Sequence, residues 1–161
     1  FGAKDNFINM FKILVKWLPA IVLLSPQSKF QPIFIDDVSK ILIKTLFDKT
    51  THGKMYDLGG PDVYSLKDII RLIIRSEKLT RIIIPLNRSL SYLFAFIMEM
   101  MPIKILTRDN WRSMEVDNVV NTQREISHRY SLERLEHYLS NKKSRSPVRS
   151  RYDFYRTKSG R

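Results

Sequence analysis

Asp36 and Asp37 are neighbouring carboxylates, the smallest grouping that could begin a divalent-cation site. Only two carboxylates stand there. Asp37 also lies where an apolar run ends and an apolar helical face begins, so helix capping accounts for it without an ion. His52, His128 and His137 lie far apart and show no ligand spacing, which suits one turn residue and two helix-surface residues. Arg108, Asp109 and Arg112 share one helical face, where ion pairs on a solvated surface explain them better than catalysis. Tyr138 and Lys142 stand at Tyr-x-x-x-Lys spacing, which can set an ammonium beside a phenol that exchanges a proton. With seven tyrosines in a lysine-rich chain, about half a match at this spacing is expected by chance, so it carries little weight. It also falls where the final helix gives way to a basic tail. The residues alone therefore indicate no catalytic group and no metal site.

The elements that would carry any site are legible from periodicity. Residues 6–18 place Phe7, Met10, Phe11, Leu14 and Leu18 on one face, and Pro19 stops that helix. Residues 20–24 are short, apolar and extended. Phe30, Ile33, Phe34 and Ile35 read as a buried strand that runs into a helix capped by Asp37. Val38, Ile41, Leu42, Thr45 and Leu46 form that helix's apolar face. His52-Gly53 makes a turn, residues 55–58 a further strand, and Ser65 with Asp68 a capping box, Tyr64 stapling onto Ile69. Leu66, Ile69, Ile70, Ile73 and Ile74 are its buried face, and residues 81–85 a closing strand. Leu90, Leu93, Phe94, Ile97, Met98 and Met101 keep helical spacing, while Tyr92, Phe96 and Met100 narrow the polar face. Glu99 interrupts this run well short of the ~20 apolar residues of a membrane span. Thr107 caps a helix through Met114, and Ser131 another through Leu139. A two-sided buried strand feeding a helix belongs to the α/β class.

Several ordered motifs carry a family likeness over roughly residues 1–139. Phe1-Gly2 with Asp5-Asn6-Phe7 is similar to the F-G-x-x-D-x-F that follows the sixth strand of the extended short-chain dehydrogenase/reductases. The Ile35-Asp36-Asp37-Val38 junction, and Gly53 through Pro61 with its Gly-Gly-Pro end, resemble that family's next strand–helix and strand. Leu106-Thr107-Arg108-Asp109 and Val116-Asp117-Asn118 resemble an atypical branch that includes the NAD(P)H-binding accessory subunit of respiratory complex I and its bacterial relatives. The resemblance implies the C-terminal part of a Rossmann-like doubly wound fold plus a small, mainly helical lobe. Residues 1–80 would be the last strands and helices of the cofactor domain, 81–140 the lobe, and 141–161 a basic disordered tail. It implies NAD or NADP as cofactor, with Phe1 and Gly2 on the nicotinamide side. Lys29 and Gln31 fall where such proteins hold substrate, or in an ordinary exposed loop.

An enzyme of this type also needs a Gly-rich turn for the pyrophosphate and a Tyr-x-x-x-Lys ahead of the position of Phe1. The five glycines here make no such fingerprint. The expectation is therefore a C-terminal half that is not catalytic by itself and needs an N-terminal, cofactor-binding half as partner. A non-catalytic assembly or membrane-surface module, using the stripe at 92–101, is the alternative. Respiratory complex I or a membrane surface would then be the partner. The setting would be cytoplasmic, peripheral to the inner membrane, or the mitochondrial matrix in a eukaryote.

Composition adds bounds. A chain of 161 residues can bury a real core, and its first residue, Phe rather than Met, reads as a processed or partial product. No signal-peptide pattern opens it. Without cysteine there is no disulfide, thiolate metal site or cysteine nucleophile. The last 21 residues hold 8 of the 28 Lys+Arg and 1 of the 16 Asp+Glu, so the net charge of +12 is concentrated there. Tyr152, Phe154 and Tyr155 among these cations would suit single-stranded nucleic acid, but a solvated extension is the preferred reading of one short run.

Overall fold

Asp5 starts the first helix by accepting from Ile8 N–H at 2.6 Å. The computed structural model describes residues 1–99, 116–120 and 126–141. The expected helix at 107–114, with Arg108, Asp109 and Arg112, and the tail from Lys142 onward lie outside them. In chain order the elements are α1 (Asn6–Trp17), β1 (Ala20–Leu23), β2 (Lys29–Phe30), α2 (Ile35–Phe47) and a 3-10 turn (Lys49–Thr51). Then come β3 (Tyr64–Ser65), α3 (Leu66–Ser76), β4 (Ile82–Pro85), α4 (Arg88–Glu99), a second 3-10 turn (Ser127–Arg129) and α5 (Leu135–Ser140). The chain is a mixed α/β protein with small sheets.

β1 and β4 run parallel, with Ala20 beside Ile82 and Leu23 beside Pro85. Their alternation sorts the residues by face: Ile21, Leu23 and Ile83 join the core, while Ile82 and Ile84 are exposed. α1 and α3 cover the core face. α1 buries Ile8, Phe11, Lys12 and Val15, with Phe7, Met10 and Leu14 packed at the margin. The buried stripe is thus rotated from the expected one, and Leu18 is exposed. Lys12 tolerates burial because Glu77 lies 4.0 Å away, and Glu77 also pairs with Lys16 at 2.9 Å.

α3 follows its sequence pattern closely. Leu66, Ile69, Ile70, Ile73 and Ile74 are all buried, and Ser65 Oγ accepts from Asp68 N–H at 3.1 Å. The helix closes in a Schellman arrangement: Lys78 takes φ 55°, its N–H donates to Arg75 O, and Leu79 N–H donates to Ile74 O at 3.1 Å. α4 is anchored to β1 through Ser91, whose hydroxyl donates to Leu24 O at 2.6 Å, and Phe94 packs with Val22 and Leu24.

Four sequence expectations are corrected. The apolar run at 30–35 is not one strand: β2 ends at Phe30, and α2 already begins at Ile35 behind Phe34. Asp37 therefore lies inside the first helical turn and is not the N-cap. Residues 55–58 form no extended strand; Asp57 alone takes a β-bridge position, and its carbonyl accepts from Ile126 N–H at 3.3 Å. Ser131 does not cap the last helix, which starts after Arg134.

The outer face of α2 exposes apolar side chains. Leu42 is 54% exposed, Leu46 70% and Phe47 83%, and Ile35 and Ile43 join the same surface. Only Asp37 and Ile41 of this helix are buried. Met55 and Val63 are exposed as well. Among the described residues no helix is long and apolar enough to cross a membrane.

Candidate functional site

β2 is two residues long and is held from both sides. Lys29–Phe30 pairs antiparallel with Tyr64–Ser65, and Phe30 bridges Asn118 in parallel. Asn118 N–H donates to Lys29 O at 2.7 Å, and Gln31 N–H donates to Asn118 O at 3.0 Å. The Asp117 carboxylate accepts from Lys29 N–H at 2.9 Å across 88 positions of sequence. Asp117 is thereby committed to positioning backbone.

Gln31 joins three stretches of chain. Its Nε2 donates to Gly60 O at 2.9 Å and its Oε1 accepts from Val120 N–H at 3.1 Å. Its carbonyl accepts from Gly60 N–H at 3.3 Å. The approach is so close that a Cβ on Gly60 would fall on the Pro32 carbonyl oxygen, so only glycine permits the crossing. Gly59 N–H donates to the buried Ser127 Oγ at 2.9 Å.

Phe1 lies alongside the same connection. Its amino group donates to Ile33 O, and its carbonyl accepts from Ile35 N–H at 2.9 Å. The ring stacks in a trio with Phe34 (5.5 Å between centroids) and Tyr138 (5.2 Å). Gly2 is buried where an added Cβ would sit 2.7 Å from Ile35 Cγ2. Phe1, Gly2 and Gln31 thus converge on the 31–35 connection between β2 and α2. Lys29 stands at its mouth, with an exposed side chain. Beside it opens a depression of about 380 Å³ lined by Ser25, Gln27, Ser28 and Asp117, with Leu24, Pro26 and Leu86.

The remaining titratable groups near this junction are occupied structurally. Asp37, 3% exposed, accepts from Glu133 N–H at 2.7 Å and from Lys40 Nζ at 2.9 Å. Among the described residues no three His, Asp or Glu side chains gather as a metal set. Tyr64 OH donates to Asp62 Oδ2 at 3.1 Å. Burial, reinforced by the Asp62 charge, pushes this phenol up to about 12, so it stays protonated near neutrality. Tyr138, of the Tyr-x-x-x-Lys spacing, is 5% exposed within the aromatic trio, and Lys142 lies outside the described residues. His52 Nε2 lies 3.2 Å from Leu46 O, and His137 Nδ1 lies 2.8 Å from Glu133 Oε1.

Ser127 and the backbone of Glu133 escape sequence reasoning, because nothing local marks a hydroxyl or an amide that will meet a partner so far along the chain. Asp117-Asn118 is legible only as part of a motif. A dinucleotide needs several free backbone N–H groups around its pyrophosphate. Gly59 and Gly60 instead donate to Ser127 and Gln31, so their geometry does not supply that cradle.

The fold and junction define an α/β chain whose short strands are assembled around a glycine-dependent crossing. No protein-family model matches it. Curated relatives do. The chain is 33% identical over 76 residues to "NADH dehydrogenase (ubiquinone) 1 alpha subcomplex subunit 9, mitochondrial" of Arabidopsis thaliana, covering 45% of this chain and 18% of the relative. It is 33% identical over 88 residues to the protein of the same name from Mus musculus, covering 53% of this chain and 23% of that one. A stretch of 52 residues is 36% identical to cyclin-B1-2 of Oryza sativa, covering 32% of this chain and 13% of the relative. The similarity to the mitochondrial NADH dehydrogenase subunit is distant and partial, and spans about a fifth of that subunit's length.

Proposed function

We propose that this chain corresponds to the C-terminal part of an NAD(P)-binding, oxidoreductase- or epimerase-like protein of the atypical extended short-chain dehydrogenase type. It serves as an accessory piece of respiratory complex I and is not catalytic by itself. The observation that carries this reading is the exposed apolar face of α2. Leu42, Leu46 and Phe47 stand in water on a helix that the family pattern lays against a nucleotide-binding sheet. Met55, in a stretch that is a strand by sequence pattern, is exposed as well. The partial identity to the mitochondrial subunits supports the same reading.

On this account the nucleotide, NAD or NADP, is held chiefly by the complementary N-terminal half. Phe1 and Gly2 contribute one wall on the nicotinamide side, fixed by the Ile33 and Ile35 backbone. Lys29 offers a cation at the substrate side, beside the depression lined by Ser25, Ser28 and Asp117. Gln31 holds the connection in place. The bound nucleotide would supply hydride chemistry; these residues would orient it and exclude water.

Mixing this chain with the N-terminal remainder of the Arabidopsis subunit tests the proposal. A stable one-to-one complex on gel filtration is expected, and two independent peaks at micromolar concentration would refute it. A second reading, an assembly or membrane-surface module, draws on α4, where Leu90, Tyr92, Leu93 and Phe96 are exposed. Nucleic acid is not a favoured partner.

A further inference from the structure

α3 carries a basic ridge that the nucleotide reading does not use. Lys67, Arg71 and Arg75 recur every four residues on it, and Arg81 enters from the start of β4. Together they line a depression of about 370 Å³ floored by Ile74 and Ile83. Like charges four apart on a helix repel, so the ridge is a cost to the isolated fold.

Some described cations are matched, Lys12 and Lys16 with Glu77 and Lys40 with Asp37. Along this ridge the matching is sparse. Arg71 reaches Asp68 at 3.4 Å, but Lys67, Arg75 and Arg81 have no carboxylate within ion-pair distance among the described residues. Arg81 is also pre-oriented. Its Nε donates to Val15 O at 2.7 Å, its Nη2 to Lys16 O at 3.4 Å and its Nη1 to Thr80 O at 3.0 Å. Those three bonds fix the guanidinium plane and leave two of its five N–H donors over. A fixed guanidinium, three further cations and an apolar floor match an anion with several acceptor oxygens and an attached carbon skeleton.

We propose that the α3–β4 depression binds a phosphate ester through Lys67, Arg71, Arg75 and Arg81. The phosphate is that of a small phosphorylated molecule or of a lipid headgroup, and it does not depend on the nucleotide-binding half. The test uses the full chain with two probes, inorganic phosphate by calorimetric titration and phosphatidylcholine vesicles with and without phosphatidylglycerol by co-sedimentation. The double variant Lys67→Gln/Arg75→Gln removes two solvent-facing charges and spares Arg81, which braces α1; an unchanged thermal midpoint verifies its fold. The matched variant Lys142→Gln/Lys143→Gln removes two charges from the tail instead.

A roughly thirtyfold loss of affinity for at least one probe in the α3 variant, with little change in the tail variant, is the expected result. Loss confined to phosphatidylglycerol vesicles assigns the site to a lipid headgroup. Loss of saturable phosphate binding without a vesicle effect assigns it to a small ester. Binding that is absent for both probes, insensitive to the α3 variant, or equally reduced by the tail variant would overturn the proposal.

Discussion

Asp37 Oδ2 accepts the backbone N–H of Glu133 at 2.7 Å, tying the first turn of α2 to the approach of α5 across 96 positions of sequence. The carboxylate is almost wholly buried and is also paired with Lys40. It acts as a tertiary clasp, a role unrelated to the start of its own helix.

Asp37→Ala would strand the Glu133 amide, so unfolding free energy should fall by about 2 kcal/mol, as for hydrogen bonds to charged groups. Asp37→Asn keeps an acceptor oxygen and should recover part of that loss. Urea denaturation of the three proteins checks the order. Equal stability of the Ala variant and the parent would remove the clasp.

The contrast with the sequence reading is physical. The step from an apolar run to an apolar helical face is written locally, and it leads to Asp37 as the cap. What places the helix start earlier is the meeting of Phe1 with Ile33 and Ile35, and what claims Asp37 is an amide in another part of the chain. Neither leaves a local trace. α3 was legible almost residue by residue, because its amphipathic period and its Ser65–Asp68 box are both short-range. At the candidate site, Phe1, Gly2, Lys29 and Gln31 could be marked by resemblance, but the crossing of Gly60 over Pro32 that organises them could not.

Ser65 and Asp68 make a reciprocal cap: Ser65 Oγ accepts from Asp68 N–H and its hydroxyl donates to the Asp68 carboxylate at 2.6 Å. These bonds, the side-chain one foremost, hold the Asp68 carboxyl below its ordinary 3.8. A depressed carboxyl contributes stability that is present above the unfolded value and lost as pH falls through the folded value. Ser65→Ala should therefore cost about 1 kcal/mol at neutral pH. It should also raise the Asp68 midpoint toward 3.8, read by carboxyl NMR titration. An unmoved Asp68 midpoint would show that the hydroxyl does not set it.

The α2 face separates folding from assembly. Leu46 and Phe47 are exposed, so Leu46→Gln/Phe47→Gln should change the chain's own stability by no more than about 0.5 kcal/mol. The same variant should lose its complex with the N-terminal remainder of the mitochondrial relative. Retained assembly would mean that α2 is not the docking face.

The most direct measurement is calorimetric titration of NADH and NADPH into this chain, alone and after addition of that N-terminal remainder. The expected result is no one-to-one complex tighter than about 10 μM for the chain alone, a free energy near −7 kcal/mol, and tighter binding by the mixture than by the remainder alone. Tight binding by the isolated chain, or a mixture no better than the remainder by itself, would contradict it.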